Sequence, residues 1–298
     1  MAKSRLALIA AFLFVAFVVT PLFLHFTQKR HDQLAFDVEV LYPESNELVG
    51  GETFAGGLIS VVHHELSGYT GWRPNDFALW GPGLMADNNA NRQRGIIQAV
   101  RESVRVFKDH LTKVSSDEYD KNLIAADNAF RNDMEKFWLP SAESKLEEGV
   151  ASLEKYVKGL SSTPPRSRPL VKRNVELIRL YQAWGDMLGD AHSSLYRADI
   201  GFFETDDVFY HAQGEAHTLR FLVRAVEREY RSVFGGRTVL LTLMNEVAAA
   251  LDKAAVLKPV AVFDGSPDGI LANHRRNLDA YINEARQKMY SIREELEK

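Results

Sequence analysis

The sequence predicts an all-α protein: an N-terminal transmembrane helix followed by a multi-helix bundle, with room for one short strand pair. Three observations carry that expectation. Residues 6–24, LALIAAFLFVAFVVTPLFL, contain no charge. Apolar residues through the rest of the chain recur at spacings of three and four, which places them on one side of a helix. Only two short stretches alternate with period two. At 298 residues, 46% hydrophobic and 26% charged, the chain is long enough to bury a sizeable core.

The first element is the apolar run. Nineteen helical residues rise about 28 Å, close to the roughly 30 Å hydrocarbon core of a bilayer. Phe12, Phe14, Phe17, Phe23 and Phe26 suit lipid contact. A cleaved signal peptide would end in a small-x-small site, whereas this run ends in TPLFLHF. The expectation is a retained anchor in residues 1–30, touching the bilayer through residues 6–26. Lys3 and Arg5 before the run tie with Lys29 and Arg30 after it, and the N-terminal amine tips the count toward an inside N-terminus. That predicts a bacterial inner-membrane protein whose body, residues 31–298, lies in the periplasm.

FDVEVLYP (36–43) alternates, and PVAVF (259–263) is its only comparable strand partner. A helix is expected over 54–66. Ile97, Val100, Val104, Phe107 and Leu111 form the next stripe, and Tyr119, Leu123, Ala126, Phe130, Met134 and Phe137 the one after. Leu146 to Leu160 and Leu177 to Leu195 continue the pattern on either side of SSTPPRSRP (161–169), a break that permits a subdivision of the body. Three more stripes run from Ala212 to Val233, Leu240 to Ala254 and Leu271 to Leu296. Ser115 and Ser116 read as an N-cap, Pro140 and Ser141 as a stop and a cap, and Gly235 with Gly236 as a C-terminal stop.

The chain has no cysteine, which removes disulfides, thiol catalysis and Cys-ligated metals. The first thirty residues hold four of the 36 Lys and Arg and none of the 40 Asp and Glu, so the remainder is eight charges negative. An acidic body disfavours nucleic acid as a partner. No phosphate-binding loop, dinucleotide fingerprint or nucleophile elbow occurs, and no cofactor is expected. Asp207, His211 and Glu215 share a helix face at i, i+4 and i+8, a register that can hold a divalent metal. The commoner use of such a row is a solvated face with hydrogen bonds one turn apart. His63 and His64 point about 100° apart and do not share an ion by themselves. Arg166, Arg168, Lys172 and Arg173 make a basic loop able to meet phosphate, or a solvated linker.

The segment 68–100 is the most informative. It mixes Trp72 and Trp80 with Arg73, Asn75, Asp76, Asp87, Asn88, Asn91 and Arg94 before and within a helix expected to begin near Asn91. Long ordered loops tend to be functional, and rings beside amides and carboxylates suit sugar or peptide binding. Architecture offers the other explanation: the tryptophans pin the loop, and Asn91 caps the helix.

Three stretches carry a family resemblance: GWRPNDFALWGPGLMADNNANRQRGII, DDVFYHAQGEA (206–216) and PVAVFDGSPDGILANH (259–274). With the N-terminal run, they are similar to the proteobacterial domain-of-unknown-function family twenty-three thirty-three. The resemblance covers most of the chain, with about 113–170 least distinctive. It implies a single-pass inner-membrane protein without an established reaction, carries no catalytic residues, and marks no metal motif at His211 and Glu215. The resulting expectation is a membrane-anchored envelope protein with a protein partner, acting as a non-enzymatic interaction or scaffold module. The alternative is binding or hydrolysis of envelope glycan through the 68–100 loop, with carboxylates such as Asp76 and Asp87.

Overall fold

The computed structural model describes residues 2–20, 22–23, 37–43, 48–68, 71–76, 87–113, 118–201, 204–259, 261–266 and 271–298. Among them the chain forms α1 (Ala2–Phe14), α2 (Val38–Leu41), α3 (Glu52–Ser67), α4 (Asp87–Val106) and α5 (Lys121–Phe130). There follow α6 (Ala142–Leu160), α7 (Asn174–Tyr196), α8 (Thr205–Phe234), α9 (Thr238–Ala255) and α10 (His274–Glu297). Wide π-helical turns extend α1 over Val15–Val19 and α4 over Phe107–Leu111.

The N-terminal expectation is corrected. Among the described residues no helix is long and apolar enough to cross a membrane. α1 itself has thirteen residues and rises about 20 Å before the π-helical turns over Val15–Val19. Its apolar side chains are nonetheless exposed, with Leu6 at 70% and Phe12 at 71%. The strand pair is corrected as well, since the described residues contain no strand. Val38–Leu41 is a single helical turn, started by the Asp37 carboxylate accepting from the Glu39 N–H at 2.9 Å. A side-chain cap of that kind selects helix over the period-two pattern. Near 259–263 only an isolated bridge forms, between Asp264 and Asn273.

The cap signals at helix starts were legible in part. Ser141 accepts from the Ser144 N–H at 3.3 Å and opens α6. Gly236 has φ +107°, the left-handed stop that ends α8. The α5 start differs from expectation: Asp120 is the cap, accepting from the Asn122 and Leu123 N–H groups at 2.8 and 3.3 Å. Residues 114–117 lie outside the described residues. The stripe through Met134 and Phe137 does not continue as helix, because α5 ends at Phe130. There the Arg101 guanidinium takes the Phe130 and Asn132 carbonyls at 2.6 and 2.5 Å, satisfying helix-end acceptors that further turns would have used.

Helix α8 is the hub, packed along α4 and α9 and touching α3 and α7. α10 closes the bundle against α7 and α9. Phe54, Phe107, Tyr156 and Trp184 fill the middle, with Phe107 edge-on to Phe54 at 5.1 Å and to Tyr156 at 5.2 Å between ring centroids. The buried Trp184 indole donates to Ser103 Oγ at 3.0 Å. Across the break at 161–169, the Leu170 N–H donates to the Gly50 carbonyl at 2.8 Å and the Val171 N–H to that of Leu111 at 2.7 Å. One apolar cluster draws residues from both sides of that break.

Candidate functional site

Two glycines set the site. A β-carbon at Gly95 would lie 1.9 Å from the His211 carbonyl oxygen, and one at Gly214 would lie 2.0 Å from that of Arg92. Glycine in a helix interior is unfavourable by roughly 1 kcal/mol relative to alanine, so its presence at both positions reflects close backbone approach. α4 and α8 therefore touch backbone to backbone. Beside this contact, α7 completes a cleft of about 340 Å³. Asn91 and Gln98 come from α4; Met187, Asp190, Ala191 and Ser194 from α7; Asp207, Val208, His211, Ala212 and Glu215 from α8.

The floor of the cleft is Glu215, only 4% exposed, whereas the His211 side chain is 41% exposed. Glu215 Oε1 lies 3.5 Å from His211 Nε2, and Oε2 is buried with no hydrogen-bond partner. An unsatisfied buried carboxylate oxygen is costly, on the order of 1–3 kcal/mol or more. Burial pushes the Glu215 carboxyl up, with His211 opposing and the charge of Asp190 adding to the push. The row is thus not a solvated face: it runs from the half-buried Asp207, through His211, into the bundle.

At the other end, Asn91 Nδ2 donates to Asp207 Oδ1 at 2.5 Å, and Asn91 Oδ1 accepts from Arg94 Nη1 at 2.6 Å. Arg94 in turn pairs with Glu135 at 2.8 Å. Asp87, the first residue of α4, faces Asp206 and Asp207. Burial, with those two charges adding, pushes its carboxyl up to about 7. Burial also raises Asp206 and Asp207, the latter opposed by Arg94.

Asp87, Asn91 and Arg94 thus converge on the start of α8, while the other described residues singled out in the 68–100 segment do not. Trp72 is buried, and its indole donates to the Met134 carbonyl at 2.9 Å. Arg73 is buried and paired with Asp76, and its N–H donates to Gln93 Oε1 at 2.8 Å. Asn75 donates to Glu143 Oε2 at 2.8 Å and to the Lys136 carbonyl at 3.2 Å. Asn88 donates its N–H to Asp87 Oδ1 at 2.9 Å, and Trp80 lies outside the described residues. Among the described residues the helix already includes Asp87, four residues before the expected Asn91 cap.

Among the described residues no group of three or more His, Asp or Glu stands together as metal ligands. His63 is exposed, and its neighbour Glu65 is buried against Arg92 and Gln93 at 3.0 and 3.1 Å. In the basic loop Arg168 pairs with Glu118 and Arg173 with Glu176. Met187, Asp190 and Ser194 escaped the sequence reading, because α7 meets α8 only in three dimensions. The signal that was available was Gly95 and Gly214, two mid-helix glycines in otherwise strong helical stripes.

The family model described as "Uncharacterized protein conserved in bacteria (DUF2333)" matches residues 2–198 and 189–298. The chain belongs to DUF2333. No curated protein and no solved structure matches it. In this DUF2333 chain, two of the three stretches that carried the resemblance meet at the cleft. The stretch ending NNANRQRGII supplies Asn91 and Gly95, and DDVFYHAQGEA supplies Asp207, His211, Gly214 and Glu215. The third closes the α9–α10 connection, where Asp264 pairs with Arg275 and Asn273 caps α10 by accepting from the Arg276 N–H at 2.9 Å.

Proposed function

We propose that this chain is a non-enzymatic binding module whose ligand site is the cleft between α4, α7 and α8. The observation that carries the reading is Glu215: a carboxylate held in the bundle, half-paired with His211, with its second oxygen unpartnered. A buried, half-paired carboxylate in the wall of a cleft is a local inconsistency of the kind that functional sites carry. The cleft's volume falls at the small end of ligand pockets, which suits a small molecule or one extended side chain. Its α8 residues Asp207, His211 and Glu215 stand along one helix edge, with Asp190 of α7 beside Glu215.

The glycan alternative has less support. Its ring, Trp72, is turned into the bundle toward Met134, and its first carboxylate, Asp76, is committed to Arg73.

The test is the stability of the empty protein. Glu215→Leu is expected to leave Tm unchanged or raise it by a few degrees, because it removes a buried unsatisfied carboxylate. A Tm lowered by several degrees would make Glu215 a structural residue and overturn the reading.

A further inference from the structure

We propose that the cleft takes the Trp138 indole of a second copy of this chain, in a symmetric dimer where each copy gives one tip and receives the other. The proposal rests on the cleft being a binding site and names its occupant. The tip is residues 137–139, in the connection between α5 and α6. Trp138 is 77% exposed and Leu139 93%, the two most exposed large apolar side chains among the described residues. Phe137 is exposed as well, and its ring meets that of Trp138 edge-on at 5.5 Å between centroids. Three large apolar side chains exposed in a row mark an interaction surface.

The backbone at the base holds this tip out. The buried Trp72 indole donates to the Met134 carbonyl at 2.9 Å. Asn75 Nδ2 donates to the Lys136 carbonyl at 3.2 Å, and the Ala142 N–H to the same oxygen at 2.9 Å. A base fixed on both sides lowers the ordering cost of docking. Trp72 and Asn75, which do not reach the cleft, thus serve the tip that stands beside it.

That position follows from α4. Gln98 lines the cleft, and Arg94 and Arg101 lie one turn to either side of it on the same helix face. Arg94 pairs with Glu135, while Arg101 takes the Phe130 and Asn132 carbonyls. A two-fold interface needs both halves of its contact on one surface, and here tip and cleft are neighbours. The cleft offers an aliphatic wall, Met187, Ala191, Val208 and Ala212, with polar acceptors among its other residues. An indole matches it with a large apolar body and one N–H donor. Charge matches too. Lys136, two residues before Trp138, and the exposed Asp190 of the cleft make no ion pair among the described residues. Across the dimer each meets its opposite, which fixes register.

The experiment is sedimentation equilibrium of the full chain, in a non-ionic detergent that covers the exposed apolar side chains of α1. A concentration-dependent monomer–dimer equilibrium is expected. Trp138→Ala, at an exposed position, should weaken the dimer roughly tenfold or more, and Ser194→Phe, which fills the cleft, should do the same. Lys136→Glu and Asp190→Lys should each weaken it, and the double variant should recover most of the wild-type affinity. Circular dichroism of each variant establishes that the helices are retained. A wild-type chain that stays monomeric at every concentration overturns the proposal, as does a dimer indifferent to Trp138→Ala. A double reversal no tighter than the single ones places the tip elsewhere and also overturns it. So does a nitroxide attached at Leu139→Cys that phosphatidylcholine vesicles shield from water while rising protein concentration does not, which would give the tip to lipid. If no dimer forms while Glu215→Leu leaves the empty protein as stable as before, the cleft keeps its role and only its occupant is lost.

Discussion

Asp87 holds its proton differently in the two states of the chain. In the folded protein burial pushes its carboxyl up to about 7, with Asp206 and Asp207 adding to that push; unfolded, it returns toward the ordinary 3.8. Between those values the folded state keeps a proton that the unfolded state has released. The contribution is therefore fully present below about pH 4 and is lost as pH rises toward 7. Asp87→Asn removes the loss and keeps an acceptor for the Asn88 N–H. The variant is expected to exceed wild type in stability at pH 8 by about 1 kcal/mol, allowing for solvent screening of a part-exposed group, and by less than half of that at pH 5. Urea denaturation at the two pH values measures this, and a gain that is the same at both would show that the carboxyl is not raised. The residue type was visible in the sequence, but its proton affinity was not. Its two neighbours lie more than a hundred residues away on α8 and reach it only through the α4–α8 contact.

Between elements, the decisive contact is α4 against α8. Alanine at Gly95 would favour the isolated helix by roughly 1 kcal/mol. In the bundle, however, its β-carbon would meet the His211 carbonyl, a backbone atom that cannot swing aside. Gly95→Ala is expected to destabilise by about 2–3 kcal/mol net, read from the urea midpoint, because the helices must part. An increase in stability would show that the two backbones are not in contact. The reach of α8 also explains α3, which starts at Gly51 without a side-chain cap of its own. Glu229 Oε1 accepts from the N–H groups of Gly51, Thr53 and Phe54 at 3.0, 2.8 and 3.2 Å, doing from another helix what a local cap does elsewhere. Most elements were legible because an amphipathic stripe and its cap are local. The α5 end was not, since the 3–4 spacing runs on through Met134 and Phe137 while Arg101, on α4, takes the carbonyls at Phe130 and Asn132.

For the molecule as a whole, the polar break at 161–169 was the natural place to divide the body. Yet backbone hydrogen bonds tie Leu170 and Val171 back to Gly50 and Leu111, and a continuous apolar cluster includes Phe54, Phe107, Trp184 and Leu222 from both sides. A shared core melts cooperatively. Thermal unfolding followed by helical circular dichroism and by tryptophan fluorescence is expected to give one coincident transition. Two separated transitions would mean that the segments before and after the break unfold independently.

What the sequence by itself determined was whatever a window of about twenty residues contains. That comprises the helical class, most helix positions, the capping roles of Ser141 and Gly236, the exclusion of thiol chemistry and the resemblance to the DUF2333 family. Local hydropathy also misled: the run at 6–24 lacks a charge, yet among the described residues no helix is long and apolar enough to cross a membrane. Tertiary structure alone decided which polar residues share a site. It turned Trp72 inward, drew Asn91 and Arg94 to Asp207, and brought Asp190 of α7 near Glu215 of α8. The physical reason is that a stripe records which face a helix buries, but not which helix it is buried against. Here that choice rests on Gly95 and Gly214, where an absent β-carbon lets two backbones meet and leaves a cleft beside them.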